Sequence, residues 1–278
     1  MPKLKIGDTV KIKNGGEAKV LAEFGAGGQG TVYKVSYQGV EYALKWYHDG
    51  VFHGKENAFY QNLENNISKG APTKAFLWPL GITEPQNGSF GYIMNIRPNG
   101  YDELTDFFVG SKKKNQVRFK SFSAISTAAI NIIQAFRELH NSGYSYQDIN
   151  NGNFFINPNS GDVMICDNDN VSPFGTNLGI GGKQRWMAPE IVMGGDPDKQ
   201  SDRFSLAVVL FRLLFINHPL EGRYSTPPCM TKELERRYYG TDPVFVYDPD
   251  NQVNRPIQGT DHNLRLFWSI YPQYIKDA

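Results

Sequence analysis

The sequence lacks the residues on which several classes of protein depend. It contains only two cysteines, Cys166 and Cys229, with no CxxC pair, which excludes a disulfide framework and a thiolate zinc site and fits a reducing compartment. Its 29 basic residues nearly cancel its 28 acidic ones, so a net charge of +1 provides no long-range attraction to nucleic acid or anionic lipid. The basic cluster between Lys112 and Lys120 is too short to change that balance. We therefore expect no nucleic-acid partner.

Long apolar runs are also scarce. The longest, 204–220, contains Arg212 and ends at a His-Pro pair, which indicates a buried helix and no membrane span. Residues 1–13 alternate polar and apolar side chains where a signal peptide needs an unbroken apolar core. The five histidines are scattered without the spacing of metal ligands. We therefore predict a cytoplasmic protein, and a 40% hydrophobic content is enough for it to fold alone.

The N-terminal third is patterned mainly as strands. Alternating apolar and polar positions predict three strands of an antiparallel sheet at 18–24, 31–37 and 40–47. Between 55 and 68 the period changes to that of a helix, with apolar residues four apart at Phe59, Leu63 and Ile67. Further strands are predicted at 76–80 and 92–96.

After residue 98 the pattern becomes mainly helical, notably over 124–140 and 202–215, whereas the proline-rich stretch 221–262 is typical of a loop. The fold class predicted is therefore α+β with two lobes. The small lobe, 1–95, contains an antiparallel sheet and one helix, and the larger lobe, 96–278, is mainly helical.

A glycine-rich segment joins two of the predicted strands. Gly25, Gly27 and Gly30 lie at its first, third and sixth positions, where missing side chains allow backbone N–H groups to approach phosphate oxygens. A dinucleotide site would need a helix directly after the third glycine, but the strand-like residues 31–37 follow. A phosphate-binding loop and a plain glycine-rich hairpin both remain open.

Lys45 ends the strand-like run Tyr42-Ala43-Leu44-Lys45 and could neutralise phosphate charge with its ammonium. The predicted helix 55–68 could supply its carboxylate partner. Glu64 is the first candidate and Glu56 the second, although either could be an exposed helix glutamate.

Carboxylates and amides cluster in two later segments. Asp148 and Asn153 lie five residues apart, and such a carboxylate can accept the proton of an attacking hydroxyl while the amide oxygen ligates a hard cation. The plain alternative is an Asx-rich turn. Asp167 and Asp169 end a predicted hairpin, where carboxylates suit magnesium bound together with phosphate oxygens.

In this order the segments resemble the motifs of the protein kinase superfamily, in particular its bacterial serine/threonine kinases of the eukaryotic type. The resemblance rests on Gly25-x-Gly27-x-x-Gly30-x-Val32, Ala43-Leu44-Lys45, Asp148 to Asn153, Asp167 and Ala188-Pro189-Glu190. Residues 201–206 are similar to the start of that family's central helix. A bilobal protein-kinase-like fold is implied.

The resemblance also implies that ATP and Mg²⁺ bind between the lobes, beneath the glycine-rich segment. Lys45 would contact the α and β phosphates, and Asp148 would be the catalytic aspartate. Magnesium would be held by Asn153 and Asp167, with Asp169 either joining the metal shell or facing water. The adenine would lie among Val32, Ala43 and Phe155, beside a hinge that includes Met94, Asn95 and Ile96.

The sequence departs from the family pattern at several positions. Tyr146-Gln147-Asp148 lacks the arginine that would clasp a phosphate on the segment 167–190, so switching by phosphorylation there is not expected. Asn150 replaces the usual lysine, which predicts slow turnover unless another cation substitutes. Asn168 and Lys183 also depart from the pattern, the latter in place of threonine. The short helical lobe leads us to expect a domain of a longer protein.

The function predicted is phosphoryl transfer from ATP to serine or threonine hydroxyls of a protein. One alternative is a pseudokinase that binds nucleotide or partner proteins without turnover, motivated by Asn150 and Asn168. Another is a small-molecule kinase, which the segment ending in Ala188-Pro189-Glu190 disfavours because that motif accompanies protein substrates by resemblance.

Overall fold

The structure, a computed structural model, describes residues 3–86, 88–108, 117–179 and 182–277. Six strands and one helix form its N-terminal part, in the order β1 (Thr9–Lys11), β2 (Glu17–Ala26), β3 (Gly30–Tyr37), β4 (Val40–Tyr47), α1 (Glu56–Lys69), β5 (Pro79–Ile82) and β6 (Gly91–Met94). The strands form one antiparallel sheet with the spatial order β1-β2-β3-β4-β6-β5.

Local sequence explains the centre of this sheet. Gln38 and Gly39 both have positive φ, 51° and 79°, which is the backbone that a two-residue hairpin between β3 and β4 requires. The apolar residues of α1 pack on one face of the sheet, where Phe59 and Leu63 meet Tyr47 and Tyr92. α1 also lies against β5, an edge strand of the sheet.

The C-terminal part is mainly helical, with β7 (Asp102–Glu103), α2 (Phe122–Asn141), β8 (Tyr144–Ser145), β9 (Phe154–Ile156), β10 (Val163–Ile165), β11 (Ser172–Pro173), α3 (Pro189–Val192), α4 (Lys199–Phe215), α5 (Lys232–Arg236), α6 (His262–Ile270) and α7 (Gln273–Asp277). Small antiparallel sheets join β10, β9 and β7, and β11 with β8. The largest apolar core lies where α2 and α4 meet these short strands.

The two long helices begin at well-formed caps. The hydroxyl of Ser121 accepts from the N–H of Ala124 at the start of α2. At the start of α4 the Asp198 carboxylate accepts from the backbone N–H of Ser201, and the Ser201 hydroxyl accepts from the backbone N–H of Asp198. These caps satisfy backbone N–H groups that the first turn of a helix otherwise leaves unpaired.

The predicted strands 18–24, 31–37 and 40–47 and the helices 55–68, 124–140 and 202–215 are confirmed within a few residues. The strand predicted at 76–80 begins only at Pro79. The stretch predicted as a loop, 221–262, in fact contains α5 and a π-helical turn at Arg237–Thr241.

Other expectations concern the chain as a whole. The lobe boundary at residues 95 and 96 stays a prediction, and Lys112, Lys113 and Lys114 of the basic cluster lie outside the described residues. Within the described ranges, none of the helices combines the length and the apolar character that crossing a membrane requires.

Candidate active site

The side chain of Lys45, on β4, is only 5% exposed and reaches Asp169 of the helical part. We call the junction between the sheet and the helical part the cleft. Its ammonium donates to Asp169 Oδ2 at 2.8 Å and to Gln29 Oε1 at 3.2 Å, and lies 3.4 Å from Asp167 Oδ1. Burial by itself lowers the pKa of this ammonium, but the charges of Asp167 and Asp169 outweigh it and raise the pKa above its ordinary value. Lys45 is therefore a permanently charged group.

Asp169 is the buried carboxylate of this cluster, with none of its side chain exposed. Besides the bond from Lys45, it accepts a hydrogen bond from the Tyr47 hydroxyl at 2.6 Å and one from the Tyr92 hydroxyl at 3.1 Å. Burial, and then the charge of Asp169, raises the pKa of both tyrosines well above the ordinary value, so both hydroxyls remain donors. The predicted metal or solvent-facing role of Asp169 is corrected, because its carboxylate is enclosed by donors.

The tyrosines around Asp169 were not predicted, although a signal for them existed. Tyr47 lies two residues after Lys45 on the same strand, and side chains two apart share one face of a sheet. Tyr92 is the β6 residue directly opposite Lys45. The face of the sheet that carries the lysine therefore also carries both hydroxyls.

The predicted pairing of Glu64 with Lys45 is wrong. Glu64 instead forms an ion pair with Lys13, which lies just after β1. Leu63 occupies the core between α1 and the sheet, and the next residue on a helix points about 100° away, so Glu64 is directed to the edge. Glu56, the alternative, lies in the first turn of α1 and is partly exposed.

The inner face of α1 carries amides where the sequence led us to expect a carboxylate. Asn62 and Asn66 are both buried, and each donates to the backbone oxygen of Val171 at 2.8 Å. They connect α1 to the segment that immediately follows Asp169. The helix therefore contacts the segment after Asp169 through neutral hydrogen bonds. The charge of Lys45 is balanced by Asp167 and Asp169, which belong to the helical part.

Asp167 and Asn153 were predicted as magnesium ligands. Asp167 has a left-handed backbone, with φ 53° and ψ 40°, and its side chain is 39% exposed at the cleft. Asn153 donates from Nδ2 to the backbone oxygen of Asp148 at 2.9 Å, which leaves its Oδ1 as the acceptor. In the described ranges no group of three or more His, Cys, Asp or Glu side chains could hold a metal. One exposed carboxylate and one amide fit magnesium, since this ion is commonly held by few protein oxygens together with phosphate.

Asp148 lies in the loop between β8 and β9. Its Oδ1 accepts from Asn150 Nδ2 at 3.0 Å and from the backbone N–H of Lys183 at 3.2 Å. Burial raises the pKa of Asp148 to about 6, helped by the charge of Asp167, although the hydrogen bonds to its carboxylate oppose the rise. A carboxyl group with that pKa is ionised at neutral pH and is a better proton acceptor than an ordinary aspartate.

The loop that carries Asp148 is anchored by Asp202 of α4. Asp202 accepts from the backbone N–H groups of Tyr146 at 2.8 Å and Gln147 at 3.2 Å, and lies 2.9 Å from His140 Nε2. Gln147 has a positive φ of 70°, and its amide donates to the backbone oxygen of Thr176 at 2.7 Å. A neutral side chain thus holds the start of the segment 167–190 against the loop.

The predicted adenine site consists mainly of apolar residues that pack together. Val32, Ala43, Met94 and Ile96 pack in one cluster, while the neighbouring Asn95 is exposed. Sequence reasoning missed two further members of that cluster, Met164 and Cys166. Phe155 lies directly opposite Met164 in the β9–β10 pair, and the Arg97 guanidinium lies 3.7 Å from its ring centroid.

The three glycines differ in what they contribute. A Cβ atom at Gly25 would meet nothing within 4 Å, and one at Gly27 would meet only the Gly30 oxygen at 3.9 Å. At Gly30 it would lie 2.5 Å from the backbone oxygen of Trp46. Gly30 is therefore required by the close approach of β3 to β4, whereas Gly25 and Gly27 keep open space above the cleft that phosphate groups could occupy.

Comparison with known proteins agrees with this geometry. The family model for the protein kinase domain matches residues 18–238. A probable serine/threonine-protein kinase, kinX, from Dictyostelium discoideum is 27% identical over 70% of this chain and 18% of its own length. The serine/threonine-protein kinase AtPK1/AtPK6 from Arabidopsis thaliana is 26% identical over 78% of this chain and 46% of its own length. The chain thus spans less than half the length of these curated relatives.

Two solved structures are similar in fold. Vaccinia related kinase 3 aligns with a TM-score of 0.65 at 16% identity, covering 99% of this chain and 89% of that one. The PK-1 kinase of Cydia pomonella granulovirus aligns with a TM-score of 0.59 at 16% identity, covering 82% and 80%. These alignments support the expected bilobal α+β fold. Because the family model also covers most of the sequence, the chain belongs to the protein kinase family.

Proposed function

We propose that this chain transfers the terminal phosphoryl group of ATP to serine or threonine hydroxyls of a protein, with magnesium. The observation that carries the proposal is the arrangement of three charged groups around one cleft. Lys45 lies 3.4 Å from Asp167, and Asp167 is near enough to Asp148 for its charge to help raise the pKa of Asp148. The names of the relatives support serine and threonine as acceptors.

The nucleotide would be held by groups of fixed charge. The Lys45 ammonium would bind phosphate oxygens beneath the glycines, and Val32 and Ala43 would cover the adenine. Asp167 and Asn153 would hold magnesium, which supplies neutralisation of the phosphate charge when bound. Asp169 would act on this site through Lys45 and would not ligate the metal.

At the other end of the cleft, Asp148 would orient the acceptor hydroxyl and take its proton. The hydroxyl oxygen forms the new bond to phosphorus, the bond from phosphorus to the bridging oxygen breaks, and the electron pair leaves with the diphosphate. A pKa of about 6 suits Asp148 to this role, because the group is ionised near neutral pH and still basic. Asn150 and the backbone of Lys183 would hold it in orientation.

The test is transfer of label from ATP, with magnesium, to a generic protein substrate and in parallel to small alcohols. We expect transfer to protein by the wild type and a fall of about 100- to 10,000-fold in Asp148→Asn. The nucleotide-induced rise in melting temperature should be the same for both proteins, because Asp148 does not hold the nucleotide.

Each contrary result has a defined meaning. A wild-type protein whose melting temperature rises with ATP but which transfers no label would replace the proposal with the pseudokinase alternative. Transfer to small alcohols alone would replace it with a small-molecule kinase.

A further inference from the structure

Lys183 is a charged side chain beside Asp148 that the mechanism above uses only through its backbone. The N–H of Lys183 donates to Asp148 Oδ1 at 3.2 Å, so the start of its side chain is fixed next to the carboxylate. The ammonium lies over the same loop and donates to Asn151 Oδ1 at 2.7 Å. Both ends of Lys183 therefore contact the loop that carries Asp148.

The acceptor of this bond belongs to an ordered chain of hydrogen bonds. Asn151 is buried, and its Nδ2 donates to Thr105 Oγ1 at 2.6 Å. Thr105 in turn donates to Glu103 Oε1 at 2.6 Å. Because Nδ2 is committed to Thr105, Oδ1 of Asn151 is directed to Lys183. The ammonium is thus held at one place on the loop.

Asn150, which lies between Asp148 and Asn151, cannot provide positive charge and is fully engaged. Its Nδ2 donates to the backbone oxygen of Asp148 at 3.2 Å and to Oδ1 at 3.0 Å, while its own Oδ1 accepts from the N–H of Gly152 at 2.9 Å. It acts as a cap for the short turn Asn151–Asn153. Residues 149–153, which follow Asp148 in the loop, therefore contribute no charged side chain.

The hydrogen-bond partner of the Lys183 ammonium differs in charge from the partners of Lys45. Lys45 is paired with two carboxylates, Asp167 and Asp169, which compensate its charge. The bond from Lys183 to Asn151 is to a neutral amide, so that bond leaves the charge of the ammonium uncancelled. A cation that is already held in position stabilises the negative charge of a phosphoryl group during its transfer most effectively.

We propose that the Lys183 ammonium stabilises the phosphoryl group during its transfer and so supplies the positive charge that the loop lacks at Asn150. This inference rests on the proposed function. Lys183 gives up no proton in the step, since the proton of the acceptor hydroxyl goes to Asp148 and the leaving electron pair goes with the diphosphate. Because Lys183 belongs to the segment 167–190, transfer would also require that segment to lie against the loop.

The test compares Lys183→Gln, which keeps a hydrogen-bond donor and removes the charge, with Lys183→Arg, which keeps the charge. We expect kcat to fall about 100-fold in Lys183→Gln with the KM for ATP unchanged, and to be largely retained in Lys183→Arg. The double variant Asn150→Lys/Lys183→Gln should recover part of the lost kcat, because the ammonium returns to the same loop.

Binding of a mimic of the transferring group provides a second readout without turnover. ADP, magnesium and aluminium fluoride should raise the melting temperature of the wild type more than ADP and magnesium do. We expect Lys183→Gln to lose this additional rise and Lys183→Arg to keep it. Melting temperatures without ligand should agree among the wild type and the two single variants of Lys183, because Lys183 is exposed.

The inference is overturned, with the proposed function intact, if the wild type transfers phosphate and Lys183→Gln matches it in kcat and in the aluminium fluoride response. It is also overturned if Lys183→Arg is as impaired as Lys183→Gln and the double variant recovers nothing, since the effect would then be structural. A wild type that binds ATP and transfers nothing overturns the proposed function and this inference together.

Discussion

At the Lys45 end of the cleft a buried ammonium meets one buried and one partly exposed carboxylate, whereas at the Asp148 end a carboxylate accepts hydrogen bonds from an amide and a backbone N–H group. In the first arrangement the buried ammonium is compensated by opposite charge. The second leaves Asp148 with a pKa of about 6, and therefore able to gain and lose a proton near neutral pH. Under the proposed function the Lys45 end would bind the nucleotide and the Asp148 end would carry out the transfer, and we call them the binding end and the transfer end.

The largest effect should come from breaking the buried pair at the binding end. Asp169→Asn leaves the Lys45 ammonium without its closest carboxylate and turns two tyrosine hydroxyls toward a neutral group. We expect the free energy of unfolding to fall by about 3–5 kcal/mol, measured by urea denaturation. The matched control is Glu64→Gln, which also neutralises one carboxylate. Equal losses in the two variants would show that Asp169 is no special partner of Lys45.

A single hydrogen bond to the same carboxylate should have a smaller effect. Tyr92→Phe removes one donor to Asp169, and a hydrogen bond to a charged group contributes about 1.5–3 kcal/mol to the free energy of unfolding. Tyr144→Phe is the control, because the Tyr144 hydroxyl is buried and has no hydrogen-bond partner in the part of the chain that the structure describes. A loss in Tyr92→Phe no greater than in Tyr144→Phe would contradict the assignment.

The transfer end should respond to pH where the binding end does not. Asp148 accepts a proton only when ionised, and burial raises its pKa to about 6. Below that pH, kcat/KM should therefore fall about tenfold for each pH unit, while the nucleotide-induced melting shift changes little. A pH profile of kcat/KM tests this expectation. A rate that stays level down to pH 5 would exclude Asp148 as the proton acceptor.

The smallest effect is expected at Glu64, which was predicted to pair with Lys45 and instead pairs with Lys13. Glu64 pairs with Lys13 near the surface, and exposed ion pairs contribute about 0–1 kcal/mol. Glu64→Gln should therefore leave both stability and the ATP-induced melting shift nearly unchanged. Loss of that shift would mean that Glu64 reaches Lys45 when nucleotide binds.

The spacing of residues predicted which segments would meet but not every pair of side chains within them. Lys45 and Asp167 were expected in one site and lie 3.4 Å apart. Glu64 was assigned from its distance along the chain to Lys45, yet the rotation of α1 depends on how Leu63 fits the core. Asp169 was expected in a metal shell or in water because no local pattern shows that two tyrosines from the sheet will enclose it.

The sequence by itself determined the strands of the sheet, the long helices and the order of the motifs along the cleft, because hydrophobic periodicity and glycine positions act over a few residues. The tertiary structure decided the partners of the charged groups. Lys45 and Asp169 are 124 residues apart, and the left-handed backbone at Asp167 begins the turn that directs one aspartate to the cleft and the other to the interior. Such pairings follow from the packing of distant segments, which local patterns do not encode.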